Sequence, residues 1–139
     1  MYKRQPLKIW GHALARFADD KNLPDSLRNG KRLIANAICK EPFFIAGDNR
    51  ICTAIAETLG NKITPKMGAE AVYFCSLNDL GLGLVLKCRD GSRRAVEFAL
   101  GQVLKLLNYK ISKKLAKHFN SEIYNLSGDI VGSKSIKLL

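Results

Sequence analysis

The sequence predicts an α+β (mixed α/β) fold in which an antiparallel sheet is covered by helices. Three observations carry that reading. Residues 1–60 show apolar side chains at helical spacing, broken by polar turns. Residues 71–77 and 82–88 form two apolar runs joined by Asn78-Asp79-Leu80-Gly81, the pattern of paired strands. A turn at Arg89-Asp90-Gly91-Ser92 then leads into an amphipathic stretch over 93–107. The 139 residues fit a single domain, expected to span 1–139, and 47% hydrophobic with 25% charged content are ordinary globular values, so disorder is not the default.

The elements follow in order. Leu7, Trp10, Leu14 and Phe17 fall on one helical stripe over 7–17, with Trp10 and Phe17 expected as core anchors and His12 off the stripe on the surface. Pro24-Asp25-Ser26 can start a second helix with a face of Leu27, Leu33, Ile34, Ala37 and Ile38; Gly30 weakens its middle and Pro42 stops it. Phe43-Phe44-Ile45 is expected to pack inward as a short link. Asp48 or Asn49 can cap a third helix over 50–59, closed by Gly60-Asn61. The run at 71–77 is continuous rather than alternating, so it reads as a strand buried on both faces. A charged segment, Lys66-Met67-Gly68-Ala69-Glu70, stands directly before it. The second strand contains Gly83, which lets something approach its backbone closely. Beyond the covering helix, 110–119 reads as a short basic helix with an exposed His118, and 123–132 as a final edge hairpin.

The formal net charge is +11, concentrated at the two ends of the chain. Such an excess fits nucleic-acid binding or a solvated helical surface. No aromatic-interleaved basic motif, zinc-finger pattern or RNP-type box accompanies it, so nucleic acid is not the favoured partner. No apolar run approaches the ~20 residues of a membrane span. Lys3 and Arg4 are not followed by an apolar segment, so no secretory signal is read. Cys39, Cys52, Cys75 and Cys88 lack the tight pairs of a zinc site; small core residues in a reducing, cytoplasmic setting are the expectation. Neither glycine-rich phosphate-loop pattern occurs.

The residues able to carry chemistry converge on Lys66. A lysine at a strand start with Gly68 two positions on lets a substrate lie against backbone while the ammonium stabilises developing charge. The penicillin-binding and β-lactamase class uses K-T-G in this way beside an S-x-x-K nucleophile box. No S-x-x-K occurs in this chain, nor any Ser/His/Asp or Cys/His set with usable context.

Two segments, Ala46-Gly47-Asp48-Asn49-Arg50-Ile51-Cys52-Thr53 and Ile63-Thr64-Pro65-Lys66-Met67-Gly68-Ala69-Glu70-Ala71-Val72-Tyr73, resemble the type II (thermolabile) L-asparaginase family. That family shows G-R-F-D-T and then K-x-G-A-E-G before a strand. The helix holding His12, the Leu82 to Lys87 hairpin segment before Asp90-Gly91, and the tail from Asn125 to Gly132 are similar to family segments in the same order. Cys52 stands where the family has Asp, and Ala71 where it has Gly.

The resemblance implies part of a serine β-lactamase/glutaminase-like fold and an amidohydrolase turning asparagine into aspartate and ammonia. It implies Lys66 as the catalytic lysine, with Gly68, Glu70 and Arg50 as substrate-binding or structural support and Glu70 a partner for Arg50. It also implies that the chain matches only the family's C-terminal part. The S-x-x-K box and the cysteine- and lysine-bearing metal segment then lie elsewhere, so no cofactor or metal is expected in this chain. The expected partners are an N-terminal half of a split enzyme or a second copy, and a small amide substrate. Alone, such a chain is expected to be inactive and to expose an apolar patch. The alternative is a non-enzymatic basic module that binds nucleic acid or another acidic partner.

Overall fold

The computed structural model describes residues 5–137, so the basic start at Lys3 and Arg4 lies outside the described residues. Helix α1 (Leu7–Ala18) leads into α2 (Asp25–Lys40), the short α3 (Phe43–Ala46) and α4 (Ile51–Leu59). A 3-10 turn over Gly60–Lys62 feeds β1 (Ile63–Met67), followed by β2 (Val72–Leu77), β3 (Leu82–Lys87) and α5 (Arg93–Leu106). The chain closes with α6 (Lys113–Ala116), a 3-10 turn (Lys117–Phe119), β4 (Glu122–Tyr124) and β5 (Ile130–Ser133).

The three long strands form one antiparallel sheet in the order β1-β2-β3. Register pairs Lys66 with Phe74 and Pro65 with Cys75, and on the other side Cys75 with Leu84 and Ser76 with Gly83. Because side chains alternate across a strand, the register sorts the sheet into two faces. Ile63, Tyr73, Cys75 and Leu77 point into the main core with Ile51, Ile55, Leu100 and Leu104. Phe74 and Ser76 point the other way, under α1: Phe74 meets Trp10 with ring centroids 5.1 Å apart, and Ser76 reaches the Leu14 carbonyl at 3.4 Å. The central strand is therefore covered on both sides, which is why its apolar run does not alternate. Each fully buried Ile or Leu of this core contributes about 1.5–3 kcal/mol of transfer free energy.

Gly83 lets α1 sit directly on the sheet. A Cβ there would lie 2.6 Å from the Ala15 nitrogen and 2.8 Å from the Leu14 Cβ, and closer still to the Gly11 carbonyl oxygen. Gly101 plays the same part on α5, where an added Cβ would meet the Phe119 ring edge at 2.7 Å.

Several expectations are corrected. Ile63–Met67 is itself a strand, so Lys66 lies within an edge strand and not ahead of one. Pro65 does not forbid this, because an edge strand leaves one side of its backbone unpaired. Trp10 is 41% exposed and acts as a partner for Phe74, not as a core anchor. On α2, Leu27, Leu33 and Ile34 are exposed, and so are Phe43 and Phe44 in α3, where Phe44 reaches 82%. The apolar stripes form the predicted helices, but the described residues supply nothing to cover them. His118 is half-buried against Glu97, because the turn at 117–119 packs on α5. The final hairpin forms its own two-stranded sheet and does not extend the main one.

Candidate functional site

β1 is an edge strand, and Lys66 projects from it on the α1 side of the sheet, across from Phe74. Its side chain is exposed, and Nζ donates to the Met67 carbonyl at 3.2 Å. The chain then turns back tightly: Gly68 N–H donates to the Val72 carbonyl at 2.8 Å, and Val72 N–H to the Ala69 carbonyl at 3.3 Å. An added Cβ at Gly68 would meet only Val72, at an ordinary 3.6 Å. Packing therefore does not demand glycine there, and what its absence of a side chain provides is open backbone two residues beyond the lysine.

Glu70 and Ala71 both adopt the left-handed conformation, with φ of 54° and 52°. Two consecutive non-glycine residues in this region cost about 1–2 kcal/mol each. Glycine, which the family motif carries at the position held here by Ala71, adopts this conformation without that cost. The turn is secured from β3: the Lys87 ammonium donates to the Glu70 carbonyl, and Cys88 N–H donates to the Ala71 carbonyl at 3.2 Å. The Glu70 carboxylate lies over Gly91 in the β3–α5 turn. Among the described residues no ion pair joins Glu70 to Arg50. Arg50 is instead the residue before the first turn of α4, in extended conformation, with its side chain exposed.

Cys52 is the residue whose role the sequence did not disclose. It is buried in the first turn of α4, and its Sγ accepts the Met67 N–H at 3.2 Å. The same sulfur lies 3.9 Å from the Tyr73 hydroxyl. This contact fastens the amino end of α4 to β1 one residue beyond Lys66. Burial pushes the Cys52 thiol up, and also pushes up the Tyr73 hydroxyl and the Cys75 thiol. A thiol kept protonated is a poor nucleophile, so Cys52 acts by position and not by attack. The one signal in the sequence was that Cys52 replaces the family's Asp.

The turn between β2 and β3 is fastened similarly. Asn78 Nδ2 donates to the Asn61 carbonyl at 2.9 Å and to Thr64 Oγ1 at 3.0 Å, while Ser76 Oγ donates to Asn78 Oδ1 at 2.7 Å. On the core side, Glu97 is buried, bonded to Arg93 Nε at 2.7 Å and facing His118 Nδ1 at 3.8 Å. Burial opposes ionisation of Glu97, but the bonds from His118 and Arg93 outweigh it and hold the carboxyl below its usual range.

Among the described residues, no three His, Cys, Asp or Glu side chains converge as a metal centre needs. The two buried cysteines, Cys52 and Cys75, face the core. No helix of the described residues is long and apolar enough to cross a membrane.

A helix-covered antiparallel sheet, with the Lys-x-Gly-Ala-Glu segment turning back at the end of its edge strand, defines a domain of the α+β class. The family model for L-asparaginase II matches residues 3–136, nearly the whole chain. The chain therefore belongs to the L-asparaginase II family, and an asparaginase-like function is the coarse reading which that membership carries. No curated protein matches it.

Proposed function

We propose that this chain supplies the lysine-bearing wall of an L-asparaginase-like site, with Lys66 as the catalytic lysine. The observation that carries the proposal is Lys66 on an edge strand, held by the Cys52–Met67 contact and followed by an open Gly68 backbone. An edge strand has an unpaired side, which leaves room beside Lys66 for a second wall. In the proposed chemistry a serine oxygen attacks the side-chain amide carbon of asparagine. The hydroxyl proton passes to the amide nitrogen, the C–N bond breaks and ammonia leaves an acyl-serine, whose ester bond water then hydrolyses to release aspartate and restore the serine. Lys66 keeps positive charge beside the reacting oxygen, where a preformed ammonium is most effective in a site closed from water. Gly68 presents backbone to the substrate. Glu70 supports the turn that follows Lys66, while Arg50 opens onto a different cleft.

The serine must come from another polypeptide segment, because no S-x-x-K box occurs in these 139 residues. A lysine without its nucleophile cannot carry out acyl transfer, so the chain alone has no amidase activity. The exposed apolar faces of α2 and α3 support an N-terminal family segment, or a second copy, packing there; completed, the assembly would have the serine β-lactamase-like architecture. The test mixes this chain with a family N-terminal segment carrying S-x-x-K and measures ammonia released from asparagine. Activity in the mixture and none in either part supports the proposal. A folded, stable pair that releases no ammonia removes it.

A further inference from the structure

A second cleft lies between α4 and the α6 end of the chain, with a volume of about 420 Å³. Arg50, Thr53 and Glu57 line one wall at helical spacing, and Lys113, Lys117 and His118 line the other. Lys66, Gly68 and Glu70 are not among its lining residues, so it is separate from the proposed amide site.

The charge in this cleft is unbalanced. Lys114 is paired with Glu57, and His118 faces Glu97. Among the described residues, Arg50, Lys113 and Lys117 take no carboxylate or hydrogen-bond partner from their side chains, and one carboxylate without an ion pair, Asp48, shares the space. Three cations against one carboxylate leave an excess of two positive charges. Lys113 opens α6 and Lys117 begins the 3-10 turn that follows it; both line the cleft, so two like charges face one space, which is unfavourable without an anion between them. A concave wall with one dominant sign of charge focuses the field on whatever enters it. The first turn of α4 carries no side-chain cap, and Thr53 is turned away to donate to the Gly47 carbonyl at 2.7 Å. The helix dipole therefore adds to the same field. Arg50 offers a planar fork suited to two oxygens, and the lysines offer point charges, the combination that recognises phosphate.

We propose that this cleft binds a small phosphate-bearing dianion, with Arg50, Lys113 and Lys117 as its cationic contacts. The volume accommodates a phosphate or diphosphate with a small organic body and falls within the usual range of ligand sites. The site does not depend on the amide chemistry and stands whether or not Lys66 is catalytic.

The test is titration calorimetry of the full chain with inorganic phosphate and then with pyrophosphate, at low and at moderate salt. Saturable binding with one site per chain is expected, tighter for pyrophosphate and weakened by salt. The double variant Lys113→Gln/Lys117→Gln is expected to weaken pyrophosphate binding by about tenfold or more. Both side chains are exposed, so the variant should unfold at the parent temperature, which separates loss of the site from loss of the fold. The pair Lys62→Gln/Lys105→Gln, outside the lining of the cleft, removes the same charge and should leave the affinity within about twofold of the parent. Three outcomes overturn the proposal: no saturable binding of pyrophosphate; equal weakening by the two pairs; or a single-stranded oligonucleotide bound more tightly than pyrophosphate, which would make the charge a nucleic-acid surface.

Discussion

Replacing Gly83 with Ala tests how α1 is held on the sheet. The new methyl carbon would stand 2.6 Å from the Ala15 nitrogen and 2.8 Å from the Leu14 Cβ. Both belong to a helix and cannot swing aside as the end of a long side chain can. Relief requires α1 to retreat by most of an ångström, and a gap of 0.5–1 Å forfeits about a quarter to a half of each dispersion contact it opens. The Trp10–Phe74 pair alone is worth about 0.5–1.5 kcal/mol beyond its buried area, and the Ser76–Leu14 contact opens as well. Overpacking of this kind costs about 1–3 kcal/mol, and contact with backbone puts Gly83→Ala at the upper end, near 3 kcal/mol. For a domain of this size that corresponds to a fall of roughly 10 °C in Tm. Differential scanning calorimetry reads the shift directly. The comparison variant is Gly30→Ala, mid-helix in α2 with nothing within 4 Å of the added carbon. It should gain about 0.5–1 kcal/mol from helix propensity. A Gly83→Ala protein that melts within about 2 °C of the parent would refute the close approach of α1 to β3.

Other outcomes follow from the site. Ala71→Gly relieves a left-handed alanine and should raise stability by up to about 1 kcal/mol in urea unfolding, whereas the same change at a residue with ordinary backbone angles would lower it. Cys52→Ala leaves the Met67 N–H without its acceptor and should cost about 1–3 kcal/mol, with faster hydrogen exchange at the Met67 amide; Cys52→Ser should recover part of the loss. Glu97 has a lowered folded-state pKa, so below its usual range the unfolded chain binds the extra proton. Its contribution is present above the unfolded pKa and disappears as pH falls through the folded value. Stability should therefore fall as pH is lowered through and below the ordinary carboxylate range, and Glu97→Gln should flatten that part of the profile in a series of thermal melts.

Much of the fold was legible because local pattern and final environment agree. The run at 71–77 was continuous, and β2 is covered on both faces by α1 and by α4 with α5. Asp90-Gly91 marked the turn into α5, and Gly83 marked a close approach that α1 fills. The unread parts depend on contacts between distant residues. β1 was hidden by Pro65, which reads as a strand breaker until its edge position is known. The stripes of α1 and α2 show that a face favours burial but not what covers it, so Trp10, Leu27 and Ile34 could not be placed. His118 sat among lysines and looked exposed; its partner Glu97 lies on another helix, 21 residues earlier. At the site, Lys66, Gly68, Glu70 and Arg50 were named from the motif, and the structure gathers Lys66, Gly68 and Glu70 at one turn while Arg50 opens onto the second cleft. The Cys52–Met67 contact that positions this turn joins residues 15 apart and leaves no local pattern.

The most direct measurement of the central claim is ammonia release from asparagine by the reconstituted pair, with and without Lys66. The parent chain mixed with an S-x-x-K-bearing N-terminal segment should release ammonia. The Lys66→Ala chain should form the same pair, shown by sedimentation, and release about a hundredfold less or none, as expected when a charge-stabilising group is removed. Undiminished ammonia release by the Lys66→Ala pair would contradict the assignment of Lys66 as the catalytic lysine.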